Sequence, residues 1–308
     1  MATSIAARDR SEVIAGIRAL FDGVSIETSA KDRAGLEAAT PHLTPGSDFF
    51  VTWMPNDTAE RRLEACKAVR DAGFTPVPHI AVRFVESRDQ LDQILGGLVE
   101  GAGVRKVLTI GGELDAPRGP YGQALDVIAS GALKAAGIQD VCIGFYPEGH
   151  PKVSDSDLRT AFNAKAAAAK EQGLNVTGVS QMAFEAKPYL DIISQIRGDG
   201  HTFPLRLGVA GPAGLPTLIK FAAMCGVGAS MKALTTRSST ITKLLTEAGP
   251  DPVIRGLAES PALPDLGALA LHFFVFGGAE KTAKWMRAAR EGRITLEPKG
   301  DGFSVEKL

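Results

Sequence analysis

The stretch GFYPEGHP, residues 144–151, follows directly on the apolar run that starts at Val141. It sets an aromatic hydroxyl (Tyr146), a carboxylate (Glu148) and an imidazole (His150) on a turn stiffened by Pro147 and Pro151. A turn after a buried strand needs Gly, Asn or Asp chemistry, and this series carries more polar function than that. In an α/β barrel the C-terminal ends of the strands line the active site. The fold question is therefore whether the flanking chain supplies a full set of such strands.

Reading outward, eight β-rich runs recur at 24–27, 49–53, 75–82, 106–110, 140–145, 175–183, 205–210 and 271–276. Most are separated by segments with helical period. Ser87 and Gln90 form a capping box ahead of Leu91, Ile94, Leu95 and Leu98. Asp57 or Thr58 can cap a helix carrying Leu63, Cys66 and Val69 that stops near Gly73. Ser154 precedes the Ala-rich stretch 158–172, a strong helix former. Strands too apolar to face water, alternating with helices, call for a parallel sheet covered on its faces. Eight units favour a single-domain (β/α)8 TIM barrel over residues 1–308, with its core at about 20–292. A doubly wound sheet is the rival. Between strands seven and eight lies an excursion, 211–270, with a helix at 215–224, a Ser/Thr-rich stretch at 235–242 and a Pro-rich one at 250–264. The polar tail, 293–308, reads as a loosely packed end.

Composition narrows the class. The 308 residues are 44% hydrophobic and 22% charged with net charge −1, so no electrostatic case exists for nucleic acid or an anionic membrane as partner. Arg8, Asp9, Arg10 and Glu12 stand where a signal peptide needs an apolar core. No apolar run reaches the ~18–20 residues of a membrane span. Cys66, Cys142 and Cys225 sit in apolar contexts and read as reduced thiols of a cytoplasmic protein. Neither a His-x-His pair nor a Cys/His cluster with metal-ligand spacing is present, so the expectation is no metal.

If the barrel closes, its mouth collects Glu27, Thr52, Trp53, His79, Gly111, Gly112, Glu113, Tyr146, Glu148, His150, Gln181, Phe184 and Glu185. Singly, most have bland readings. Glu27 could be a solvated turn carboxylate, His79 a satisfied core histidine, Thr52 a strand former, and Gly111–Gly112 a turn that also lets a flat ligand near the backbone. Gln181 resists this, because a buried amide in an apolar strand must find partners. Together the set is too chemically loaded for one rim of turns.

These strand ends resemble the methylenetetrahydrofolate reductase family, from about residue 24 to 285. The likeness rests on Glu27, Thr52, PHIAVR (78–83), GFYPEGHP, SQMAFEAKPYL (180–190), LGVAGPAGLPTLIKFAAMCGV (207–227) and HFFVF (272–276), in order. The resemblance implies an FAD-containing barrel of one-carbon metabolism and methionine biosynthesis that reduces a folate with NADH or NADPH. NADH is favoured because no basic cluster for a 2′-phosphate is visible. It implies Glu27 as general acid and Glu113 as a second carboxylate beside the pterin. Thr52, His79, Gly112, Tyr146 and His150 become flavin contacts, and Glu148 a further cofactor-binding residue that orders its own loop by binding ribose or backbone. Gln181 and Phe184 become substrate contacts. The chain departs from the family at Gly111, where an arginine is usual, at Gln123 for a tyrosine, and at Gly277–Gly278 for a basic residue. A weak grip on FAD follows, so a flavin-independent reductase and a non-catalytic folate-binding barrel both stay open. Whether the chain forms a homo-oligomer is left open too.

Overall fold

The computed structural model describes residues 8–227, 247–298 and 301–306. Eight parallel strands close in chain order: β1 Ser25–Thr28, β2 Asp48–Val51, β3 Thr75–Ala81, β4 Lys106–Ile110, β5 Asp140–Phe145, β6 Asn175–Ser180, β7 Leu205–Ala210 and β8 Leu269–Phe274. Each pairs with its successor, and β8 closes on β1 with His272 opposite Ser25 and Phe273 opposite Ile26. The fold is a (β/α)8 TIM barrel, and closure rules out the doubly wound alternative.

Side chains alternate across the strands with period two. Phe50, Val77, Leu108, Cys142 and Val179 point inward and form an apolar plug. Their neighbours Phe49, Val51, Val107, Val141 and Ile143 point outward and merge with the helical layer into the main core. This double burial is why the strands read as continuous apolar runs.

The helices start where their caps place them. Ser87 accepts a bond from Gln90 N at 3.1 Å and opens Arg88–Ala102, whose Leu91, Leu95 and Leu98 are buried. Gln90 returns its side chain one residue earlier than a strict capping box would, to Glu86 N at 2.7 Å. Thr58, rather than Asp57, caps Ala59–Asp71, which stops before Gly73 at φ +86°. Ser154 caps Asp155–Glu171. Within the excursion, Leu215–Met224 is helical as expected, and the Pro-rich stretch holds a helix at Asp251–Glu259 and a 3-10 turn at Leu263–Leu266. The Ser/Thr-rich stretch 235–242 lies outside the described residues. Among those described, no helix is long and apolar enough to cross a membrane.

Two expectations about the ends need correction. Helix Arg10–Ala19, boxed by Asp9 and Glu12, precedes the expected core boundary yet buries Val13 and Ile17. The tail is not loose, because Ile294–Leu296 pairs antiparallel with Phe303–Val305. Leu296 and Phe303 are buried, with the Phe303 ring 5.6 Å from Trp285. Strands of three residues carry too little periodicity to be read locally; docking on Trp285 decides them.

At the N-terminal end of the barrel, inside it, Asp48 Oδ2 accepts from Lys106 Nζ at 2.8 Å and from Arg206 Nη2 at 2.7 Å. One buried carboxylate thus answers two cations, and Arg206 Nη1 is buried without a hydrogen bond. Removing the carboxylate leaves both charges unanswered in a poorly solvated space. Asp48→Asn is expected to destabilise the protein by about 3–5 kcal/mol in urea unfolding. A loss below about 1 kcal/mol would mean that the cluster behaves as a solvated surface pair.

Candidate active site

Ser25 and Glu27 lie two apart on β1 and both face the barrel interior. The closing register brings His272 to them from β8. Its Nδ1 lies 2.9 Å from Ser25 Oγ and its Nε2 lies 3.3 Å from Glu27 Oε1. On the other side, His79 Nε2 from β3 stands 3.6 Å from the same Glu27 oxygen, too long for a hydrogen bond. The Phe50 ring meets both imidazoles edge-on, at 4.5 Å for His272 and 6.1 Å for His79. All four polar side chains are buried. Burial pushes the His79 imidazole down to about 4, against the pull of Glu27 and with a small push from His272. At neutral pH it is uncharged, and its Nε2 makes no hydrogen bond.

The other expected residues fall around this centre. Thr52 follows β2, its N–H donating to Thr28 O at 2.9 Å. Gly112 takes φ +91°, and a Cβ there would sit 3.2 Å from Ala81 and 3.3 Å from the Phe84 ring, so only glycine fits the close approach. Glu113 is exposed at the rim. Burial first, then the charges of Glu27 and of Glu113, raises the Cys225 thiol to about 11. Gln181 extends β6 two residues past the inward-facing Val179, and its Oε1 accepts from Met182 N at 3.0 Å. The loop behind it is tied by the buried Tyr189 hydroxyl, which accepts from Ala183 N at 2.6 Å and donates to Gly208 O. Phe184 joins an apolar wall with Met182, Phe221, Phe274 and Phe276. Phe221 and Phe276 stack at 4.0 Å.

The GFYPEGHP loop divides its duties. Tyr146 and His150 pack ring to ring at 5.4 Å, and burial keeps the Tyr146 phenol protonated. Tyr146 and Glu148 also border a cavity of about 370 Å³ on the barrel flank, between helices Asp155–Glu171 and Ala186–Gly198. The Glu148 charge also helps keep the buried Tyr189 phenol protonated.

Two residues escaped the sequence reading. His272 was visible only as the first letter of HFFVF; its signal was a polar residue opening an apolar strand. Lys165 hid in an Ala-rich helix. Its Nζ donates to Gly144 O at 3.1 Å, and burial alone pushes the ammonium down to about 8. Beside it, a Cβ added to Gly144 would meet nothing within 4 Å, so an open space lies next to a buried cation.

The low His79 value has a consequence for stability. The unfolded chain takes up this proton near 6.5 and the folded chain only near 4. The contribution is therefore full above 6.5 and is lost as pH falls toward 4. Between about pH 7.5 and about pH 5 this imidazole lowers stability by about 2 kcal/mol. His79→Gln is expected to lose about 2 kcal/mol less than the wild type over that interval in urea melts. Equal losses in the two proteins would mean that His79 is hydrated in the fold.

A sequence model of the methylenetetrahydrofolate reductase family matches residues 38–241. Among solved structures, the chain is similar to dihydropteroate synthase from Burkholderia cenocepacia (12% identity, 84% of this chain and 86% of that one, TM-score 0.44). It is also similar to sialic acid aldolase from Ruminococcus gnavus (13%, 87% and 71%, TM-score 0.44). A third is the catalytic domain of β-amylase from Paenibacillus polymyxa (9%, 83% and 93%, TM-score 0.40). Likenesses this distant carry nothing for the chemistry. The family match runs over more than half of the chain, from before β2 to beyond β7, and leaves Glu27 and His272 on either side of it. This chain belongs to the methylenetetrahydrofolate reductase family, a family of folate-linked reductases.

Proposed function

We propose that the protein reduces 5,10-methylenetetrahydrofolate to 5-methyltetrahydrofolate at the expense of NAD(P)H, or runs the same reaction in reverse. The observation that carries this reading is one buried carboxyl, Glu27, bonded by His272 and flanked by His79 at the barrel mouth. The bridging carbon of the substrate accepts hydride only after its five-membered ring opens to the 5-iminium cation. Opening requires a proton on N10, delivered by an acid sheltered from bulk water.

Glu27 suits that role because of what stands behind it. If Ser25 donates to Nδ1 of His272, the ring carries its hydrogen on Nε2 and directs it at Glu27 Oε1. Once Glu27 has released its proton to N10, that N–H stabilises the carboxylate left behind. His79 stays neutral and so adds no charge that would repel the iminium cation. Glu113 supplies negative charge from the rim, where it stabilises the cation electrostatically. Gln181 would hydrogen-bond the pterin ring, and the wall containing Phe184 would pack against it.

FAD, when bound, supplies the hydride carrier between nicotinamide and folate. The residues that would hold it are Thr52, His79, Gly112, Tyr146, Glu148 and His150. His79 offers a buried ring nitrogen with no hydrogen bond, and Gly112 offers bare backbone. Lys165 is one buried cation that would serve its phosphates in the absence of the family arginine at position 111. That same absence favours a second reading, direct hydride transfer from NADH to the iminium without flavin; turnover with NADH by flavin-free protein would support it.

Glu27→Gln is expected to lower folate turnover by about 100-fold or more, while the KM for NAD(P)H is retained. Normal turnover in that variant would remove Glu27 from the reaction and this reading with it.

A further inference from the structure

We propose that Arg83 is a positioning residue for Glu113, acting by pinning the loop that follows β4. The proposal rests on the reading of the barrel mouth as a folate reductase site. Residues 111–123 form neither helix nor strand, and among the described residues Glu113 makes no hydrogen bond or ion pair of its own. Its carboxylate is therefore placed only by its backbone. A displacement of about 1 Å at a reacting centre can cost 100-fold in rate, so something must hold that backbone.

Arg83 does so at four points. Its N–H donates to Gly111 O at 3.0 Å, and its carbonyl accepts from Arg118 N at 2.9 Å. Its Nη1 donates to Leu114 O at 2.8 Å and its Nε to Gly122 O at 2.8 Å. The loop wraps around this one residue, and the Nη1 bond falls on the residue next to Glu113. Two glycines let it wrap closely. Gly112 lies against Ala81 and Phe84, and a Cβ on Gly119 would stand 2.3 Å from Glu86 O. A planar fork with donors fixed in direction holds two carbonyls set apart, where a lysine offers a single compact ammonium. Position 111 fits this role too. A Cβ there would lie 3.9 Å from Arg83 Nε, so the guanidinium borders the ground that an arginine at 111 would share.

The test is a double-mutant cycle on the full chain with Arg83→Met, Glu113→Gln and the double variant, read as kcat and KM for methylenetetrahydrofolate reduction. Amide hydrogen exchange of residues 111–122 is measured alongside. Arg83→Met is expected to lower kcat about 10- to 100-fold with little change in the KM for NAD(P)H, and to raise exchange in that loop. The double variant is expected to be no slower than the worse single variant, because both changes remove the same carboxylate from its place. Effects that multiply, or loop exchange unchanged by Arg83→Met, would overturn the proposal. If Arg83→Met does not fold, Arg83→Lys, which keeps the charge but loses the planar fork, carries the same cycle. Should the wild type turn over no folate, the reading of the site fails, and loop exchange alone then decides whether Arg83 is the pin.

Discussion

The mouth of this barrel depends on where its last strand meets its first. With His272 opposite Ser25, the inward positions of β1 and β8 interleave, and one imidazole spans from a hydroxyl to a carboxyl two residues on. A slip of one residue would turn His272 outward and bring Phe273 in, because the side-chain period is two. The outward face resists that slip. Phe273 packs at 6.0 Å from both Phe21 and Trp285, and it is fully buried beside Ile26. Packing on the outside of the barrel thus holds the chemistry on the inside.

The interior carries polar groups at both ends of its axis. At the N-terminal end Lys106 and Arg206 share Asp48, with Asp140 close enough to act on the same Cys142. Glu27 stands at the C-terminal end, bonded by His272, and Glu113 follows β4 there. The plug of Phe50, Val77, Leu108, Cys142 and Val179 lies between them. Its low polarity weakens screening between the two ends and keeps His79 uncharged.

The elements were legible because they are doubly buried. Apolar strands such as 106–110 and 205–210, and caps such as Thr58 and Ser154, state their structure locally. Glu27, His79 and Gln181 could be nominated from their places at strand ends. What the local pattern cannot carry is pairing at a distance. His272 acquires its role only from a partner 245 residues away, and Arg83 acts through carbonyls, which have no residue identity. The tail hairpin was invisible for the converse reason: its strands are shorter than the period that would announce them.

The most direct measurement is chromatographic. Purified protein is incubated with NADH and 5,10-methylenetetrahydrofolate, with and without added FAD, and the folate products are separated. The account predicts 5-methyltetrahydrofolate in step with NADH oxidised in at least one of the two conditions. Intact substrate and unoxidised NADH in both would contradict it, and Glu27 would then be a buried carboxyl with no reaction to serve.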